Sequence, residues 1–215
     1  MKPIIIKINK DILFKNNLNA QEVRQFLTTR GITAFNIMAS PGAGKTSLIL
    51  SALKLINHRV LVIEGDIASS IDTHKIKECG FEALQINTGG SCHLTAFMIK
   101  NILSEVKDHT YKLLFIENVG NLVCPAPYDL GESYKIVISS VPEGDDKPYK
   151  YPKIFSVADV IVLNKIDLIN SIDYNYEYFE KGIRAVNIRA PIFKTSCKTG
   201  EGLQEWVNWI YSNLN

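Results

Sequence analysis

The chain has 215 residues, 46% hydrophobic and 21% charged, enough for one sizeable core in a single domain spanning 1–215. A formal net charge of +2 with no single-sign block gives no electrostatic footprint for nucleic acid, so none is expected as a partner. No apolar stretch approaches the ~20 residues of a membrane span and the N-terminal run Met1-Lys-Pro-Ile-Ile-Ile-Lys-Ile8 is too short for a signal peptide, so no membrane association and a cytoplasmic address are expected.

Residues 1–31 read as an N-terminal extension with a short helix. Asn19-Ala-Gln-Glu22 has the form of a cap with the glutamate reaching back, and Val23, Phe26 and Leu27 then share one apolar face. A strand is predicted at 34–38. It runs into Ala39-Ser-Pro-Gly-Ala-Gly-Lys45-Thr46, which fits the phosphate loop G-x-x-x-x-G-K-S/T with Ala in the opening position, and a helix is predicted at 47–56. Small residues let backbone N–H groups turn inward as an anion nest at a helix N-terminus. Gly42, Ala43, Gly44, Lys45, Thr46 and Ser47 are therefore expected on the nucleotide. Lys45 can reach the β- and γ-phosphates, and the Thr46 hydroxyl can take a place on Mg²⁺.

Next come a strand at 59–63, a short helix at about 72–79 ending at Gly80, and a strand at 82–86. Asn87-Thr-Gly-Gly-Ser leads into a longer helix expected from Cys92 to about Val106, and two more strands are predicted at 112–116 and 134–138. Near-continuous apolar runs separated by helices indicate an α/β, P-loop NTPase fold, with a mostly parallel sheet covered by helices on both faces. The stretch 139–153 is too polar and Pro-rich for a regular element and reads as a functional loop.

Ligands of open α/β sheets sit beyond the carboxyl ends of the strands. Asp66 follows one strand, and Glu117 follows another in Glu117-Asn-Val-Gly120. Mg²⁺ takes hard oxygen ligands, so Thr46, Asp66 and Glu117 are its candidate ligands, and Asp72 is a further candidate for orienting water or metal. Glu117-x-x-Gly120 stands where many GTPases have D-x-x-G, with the Gly120 N–H free for the γ-phosphate. Lys45, Asp66, Asp72 and Glu117 form the candidate catalytic set.

The base is read further on. Asp159-Val-Ile-Val-Leu-Asn164-Lys-Ile-Asp167 is a buried strand opening into N-K-x-D. A carboxylate at Asp167 can accept from both guanine N1–H and the exocyclic amine, worth about 1.5–3 kcal/mol per bond. Asn164 belongs to the same motif, and the Lys165 stem can pack over the base plane. Ser196-Cys197-Lys198, after the run 191–194, has the position of the loop that closes a guanine pocket. GTP is the expected nucleotide.

A second chemistry starts at Gly89-Gly-Ser-Cys92-His93-Leu, read as a helix start, and continues at Cys124 in Asn121-Leu-Val-Cys124-Pro-Ala. Thiolate and imidazole suit Zn²⁺ and Ni²⁺, and a helix N-terminus favours the thiolate. Three ligands do not close a tetrahedral site unless a twofold axis adds a second copy. Cys79 and Cys197 fit burial or pocket packing. His58, His74 and His109 lack a partner at ligand spacing and read as surface or helix-end residues.

Asn87-Thr-Gly…Cys92-His93-Leu, Glu117-Asn-Val-Gly-Asn-Leu-Val-Cys124-Pro-Ala and Glu143-Gly-Asp-Asp-Lys-Pro…Lys150-Tyr-Pro resemble the nickel-hydrogenase maturation GTPases of the HypB family. The resemblance runs from about residue 32 to Trp209. It implies a dimerising, signal-recognition-like P-loop GTPase that acts as a metallochaperone, coupling GTP hydrolysis to nickel insertion into nickel-iron hydrogenase. It also implies Ni²⁺ or Zn²⁺ ligands at Cys92, His93 and Cys124 near a homodimer contact. The implied partners are a HypA-type nickel chaperone and the hydrogenase large-subunit precursor.

Lys147 and Lys150, on the polar loop, are candidates to reach a partner subunit's nucleotide, and Lys150 is counted with the nucleotide-binding residues. The Cys-rich and His-rich N-terminal metal motifs of some members are absent from the sequence, so nickel storage there is not expected. Thr95 stands where the family usually has Asp. The alternatives are a urease-type nickel accessory GTPase, whose Cys-Pro-His motif is missing, and a nucleotide-gated metal-binding scaffold with negligible hydrolysis.

Overall fold

The computed structural model describes residues 8–67, 69–107 and 110–214. The N-terminal apolar run through Lys7 and His109 fall outside the described residues.

Among the described residues, seven strands form one sheet: β1 (Thr33–Ala39), β2 (Val60–Asp66), β3 (Glu82–Asn87), β4 (Leu113–Glu117), β5 (Tyr134–Ser140), β6 (Val160–Asn164) and β7 (Ile192–Lys194). Their order is β3-β2-β4-β1-β5-β6-β7, and every pairing is parallel. The sheet is therefore wholly parallel, and its strands are hydrophobic on both faces because helices cover both. β4 lies between β1 and β2. That insertion brings the end of β4 beside the phosphate loop on one side and beside Asp66 on the other.

Among the described residues, eight α-helices complete the fold: α1 (Ile8–Thr29), α2 (Lys45–Leu53), α3 (Ile71–Glu78), α4 (Ala96–Ser104), α5 (Lys147–Lys150), α6 (Pro152–Ser156), α7 (Tyr176–Val186) and α8 (Leu203–Ser212). Alternation along β1 sorts the core. Phe35, Ile37 and Ala39 face a cluster with Leu48 and Ile49 of α2 and Trp206 and Ile210 of α8. Ala34 points to the opposite face, into a cluster with Leu27 of α1 and Ile99 of α4. Met38 joins a third cluster with Phe155, Phe179 and Ile183. Full burial of each such side chain contributes roughly 1.5–3 kcal/mol relative to exposure.

Five expectations are corrected. α1 is a single helix of 22 residues, not a short one. It continues through Asn19, which caps nothing and instead donates to the Lys15 carbonyl at 3.0 Å. α4 begins at Ala96 rather than at Cys92, because the Thr95 side chain accepts from the Met98 N–H and ends the preceding turn there. The stretch 139–153 is largely regular, holding the end of β5, a 3-10 turn at Val141–Glu143 and two short helices that each carry Pro in their first turn. Cys79 is exposed at the C-terminus of α3, not buried.

Candidate nucleotide and metal sites

The phosphate loop leaves β1 and turns through Gly42 and Gly44, both at positive φ, before α2 starts at Lys45. Gly44 has no room for a side chain: a Cβ there would lie 2.5 Å from Asn164 Nδ2. Asn164, at the end of β6, donates to the Ala43 carbonyl at 3.0 Å, and Lys165 Nζ donates to the Gly42 carbonyl at 2.7 Å. The N-K-x-D segment thus holds the back of the phosphate loop. Glu143 holds its front, accepting from the Ser40 hydroxyl while also accepting from Ser140 Oγ at 2.8 Å and Ser140 N at 2.9 Å. Reading 139–153 as an irregular loop concealed this clamp.

A cleft of about 550 Å³ opens between α2 and the ends of β6 and β7, lined by Gly44, Ser47, Asn164, Lys165, Asp167 and Lys198 among others. Ser196 Oγ donates to Asp167 Oδ1 at 2.7 Å and accepts from the Lys198 and Thr199 N–H groups, which fixes the carboxylate at the cleft wall. Cys197 also lines the cleft, with its thiol donating to Asn164 Oδ1 at 3.5 Å and pushed up from the usual thiol range by burial. Leu50 and Ser51 of α2 and Lys54 just after it also line the cleft and were not anticipated, since nothing in a regular helix sequence marks them.

A second cavity of about 270 Å³ is lined by Lys45, Asp66, Asp72, Glu117 and Gly120 among others. Thr46 Oγ1 donates to Glu117 Oε1 at 2.8 Å, and Glu117 Oε2 is buried with no hydrogen-bond partner among the described residues. An orphaned carboxylate oxygen beside a threonine hydroxyl is a donor set that fits Mg²⁺, with Asp66 at the cavity rim as a further oxygen. Gly120 packs on the phosphate loop, since a Cβ there would lie 3.0 Å from the backbone N of Pro41. Asp72, in the first turn of α3, is held by Lys75 at 2.8 Å.

Glu64, which the sequence reading passed over, lines the same cavity. It pairs in register with Glu117 across β2 and β4, and its Oε2 accepts from Thr73 Oγ1 at 3.1 Å. Burial, and after it the neighbouring acids, push both carboxyls up from 4.5 to about 7, against the lowering effect of Thr73 at Glu64 and of Lys45 and Thr46 at Glu117. Lys150 lies outside both cavities, exposed and paired with Asp146, and Lys147 Nζ sits 5.5 Å above the Tyr151 ring.

On the far side of the β4 end, the ligand atoms of Cys92, His93 and Cys124 all lie within 4.8 Å of one another. Asn121 shapes one half of this cluster, accepting from Val123 N at 2.7 Å and Cys124 N at 3.1 Å. The His93 ring packs against Tyr128 at 4.0 Å between centroids. Burial lowers His93 from its ordinary value and so favours the neutral imidazole that a metal needs. Cys92 is raised, chiefly by its hydrogen bond with Cys124 and then by burial; it precedes α4, which starts at Ala96, and so is not the helix-start residue expected from the sequence. His58 stacks obliquely on Tyr211 at 5.6 Å and His74 is exposed on α3, both apart from the cluster.

The family model for the CobW/HypB/UreG nucleotide-binding domain matches residues 33–194. The hydrogenase maturation factor HypB of Rhizobium leguminosarum bv. viciae is 45% identical over 208 residues, which cover 96% of this chain and 70% of that protein. The hydrogenase/urease maturation factor HypB of Helicobacter pylori strain J99 is 37% identical, covering 95% and 86%. The crystal structure of Helicobacter pylori HypB in complex with nickel superposes with a TM-score of 0.89 at 36% identity, over 92% of this chain and 94% of that one. HypB from Archaeoglobus fulgidus gives 0.88 at 39% identity, over 94% and 100%. The signal recognition particle receptor FtsY of Elizabethkingia anophelis shares the fold alone, with a TM-score of 0.56 at 12% identity over 88% and 68%. With its phosphate loop, strand-end carboxylates and Cys-His-Cys cluster on one parallel sheet, the chain belongs to the CobW/HypB/UreG nucleotide-binding family, as one of the HypB hydrogenase maturation factors.

Proposed function

We propose that this chain is a GTP-hydrolysing metallochaperone that assists nickel insertion into nickel-iron hydrogenase, changing its metal site and its dimer contact with nucleotide state. One observation carries the reading. The stretch from Glu117 to Cys124 contributes a carboxylate to the phosphate-end cavity and a thiol to the Cys92–His93–Cys124 cluster. A change at one end of so short a segment is felt at the other.

Asp167, braced by Ser196, reads guanine in the base cleft. Lys45 and the loop N–H groups hold the phosphates. Thr46, Glu117 and Asp66 would hold Mg²⁺, which spreads the charge developing on the transferred phosphoryl group. Glu117 and Asp72 act on the attacking water from the cavity wall. Ile67, Ile71, Phe97 and Val123 are exposed; Ile67 lines the cavity, and Ile71 and Val123 adjoin Asp72 and Cys124 in the chain. An isologous contact over these residues brings two Cys-His-Cys sets together and buries the apolar patch. Lys147 and Lys150 then face the second subunit's nucleotide. A HypA-type nickel chaperone and the hydrogenase large-subunit precursor are the partners on either side of nickel transfer. No helix among the described residues is long and apolar enough to cross a membrane; we place the protein in the cytoplasm.

Single-turnover GTP hydrolysis with Mg²⁺, with and without Ni²⁺ or Zn²⁺, tests the enzymatic part. GDP and phosphate formation that Lys45→Ala and Asp66→Ala abolish supports it. Tight GTP binding with no turnover leaves a nucleotide-gated metal-binding scaffold instead.

A further inference from the structure

Consecutive residues at the end of β4 point to opposite faces of the sheet. Glu117 faces the phosphate loop, where Oε1 accepts from Thr46. Asn118, also buried, faces α4 and the metal segment. Its Oδ1 accepts from two backbone N–H groups: Val119 at 3.0 Å, in the turn that leads to Gly120, and Leu94 at 3.1 Å, the residue after His93. One carboxamide oxygen therefore joins the phosphate-sensing turn to the segment carrying Cys92 and His93.

The rest of the carboxamide is fixed by a buried chain of donors. Asn118 Nδ2 donates to Asn36 Oδ1 at 3.2 Å, Asn36 Nδ2 donates to Glu132 Oε1 at 3.1 Å, and Glu132 Oε2 accepts from Leu130 N at 2.6 Å. Such a network holds one orientation, because any rotation strands several buried polar groups at once. Leu94 is tied to the nucleotide face a second time, through its side chain. It is fully buried against Gly65, where a Cβ would lie 2.7 Å from its carbons, and Gly65 sits between Glu64 and Asp66.

We propose that Asn118 is the positioning residue that links the Cys92–His93 ligand pair to the strand end at Glu117, so that the response of metal affinity to nucleotide state passes chiefly through this side chain. The inference rests on the function proposed above and adds the residue through which its two sites communicate. Thr46, Glu117 and the Gly120 turn rearrange around a bound triphosphate. The Val119 N–H moves with them, and the shared acceptor carries that movement to Leu94 and its neighbours. Coupling between two sites takes the form of a changed affinity ratio.

The test compares Ni²⁺ dissociation constants of the full chain with and without a non-hydrolysable GTP analogue, in the wild type and in Asn118→Ala. In the wild type the ratio of the two constants is expected to reach at least about fivefold, and in Asn118→Ala to fall within about twofold of unity. A merely structural defect weakens nickel equally in both states and leaves the ratio unchanged, which would overturn the proposal. A wild-type ratio of one would overturn the nucleotide-gated function itself, and this inference with it. Hydrogen exchange on the wild type gives a readout that needs no variant. The Leu94 and Val119 amides should change protection together when the analogue binds, and a response at Val119 with none at Leu94 contradicts the link.

Discussion

Glu64 on β2 and Glu117 on β4 are register partners, and their buried carboxyls share one wall of the phosphate-end cavity. Each is raised from 4.5 to about 7. The folded protein therefore keeps protons that the unfolded chain has released, and stability falls as pH rises through the interval between those values. The contribution is complete below the unfolded value and is lost above the folded one. Urea unfolding of the metal- and nucleotide-free protein at about pH 5 and about pH 7.5 should show the wild type losing stability with rising pH. Glu64→Gln and Glu117→Gln should each flatten that loss, and an unaltered pH slope in both variants would contradict the assignment.

The base specificity rests on Asp167. Replacing it with Asn removes a charged acceptor of two guanine donors and frees Ser196 from its partner. Calorimetry should show GTP weakened by about 2–4 kcal/mol in Asp167→Asn, with relative gain for xanthosine triphosphate. Equal affinity of the wild type for ATP and GTP would count against the reading.

Gly44 combines a φ of 101° with the close approach of Asn164. Gly44→Ala is expected to cost about 1–3 kcal/mol of stability and to push the phosphate loop away from Asn164. Binding of a fluorescent GTP analogue should weaken by more than about tenfold, which is 1.4 kcal/mol of the same strain. Wild-type binding in this variant would show that the loop is not set by that contact.

How much of this was legible in the sequence follows from the range of each signal. The phosphate loop, N-K-x-D and the Cys-His and Cys-Pro segments are contiguous runs and so stand out locally, although Cys92 and His93 precede α4 instead of opening it. Glu64 was missed because its neighbour Glu117 is brought to it by β4 inserting between β1 and β2, a pairing that no local pattern announces. Asn118 was missed for a related reason. An asparagine after a strand reads as a turn residue until its partners Leu94 and Asn36 are known. The helices α5 and α6 are four and five residues long, too short to show a period of 3.6. α7 went unread although Asn175 caps it and Phe179 and Ile183 lie one turn apart on its buried face. Its apolar and charged faces are well separated, so this helix was legible in the sequence and was passed over.

The account stands most directly on the joining of the two sites. Ni²⁺ titration of the wild type and of the Cys92→Ala/Cys124→Ala double variant, each with and without a non-hydrolysable GTP analogue, measures that joining. The wild type should bind Ni²⁺ with an affinity that the analogue changes by at least about fivefold. The double variant should lose more than about tenfold in affinity and show no response to nucleotide. Equal Ni²⁺ affinity in wild type and variant, or a wild-type affinity indifferent to nucleotide, would contradict the account.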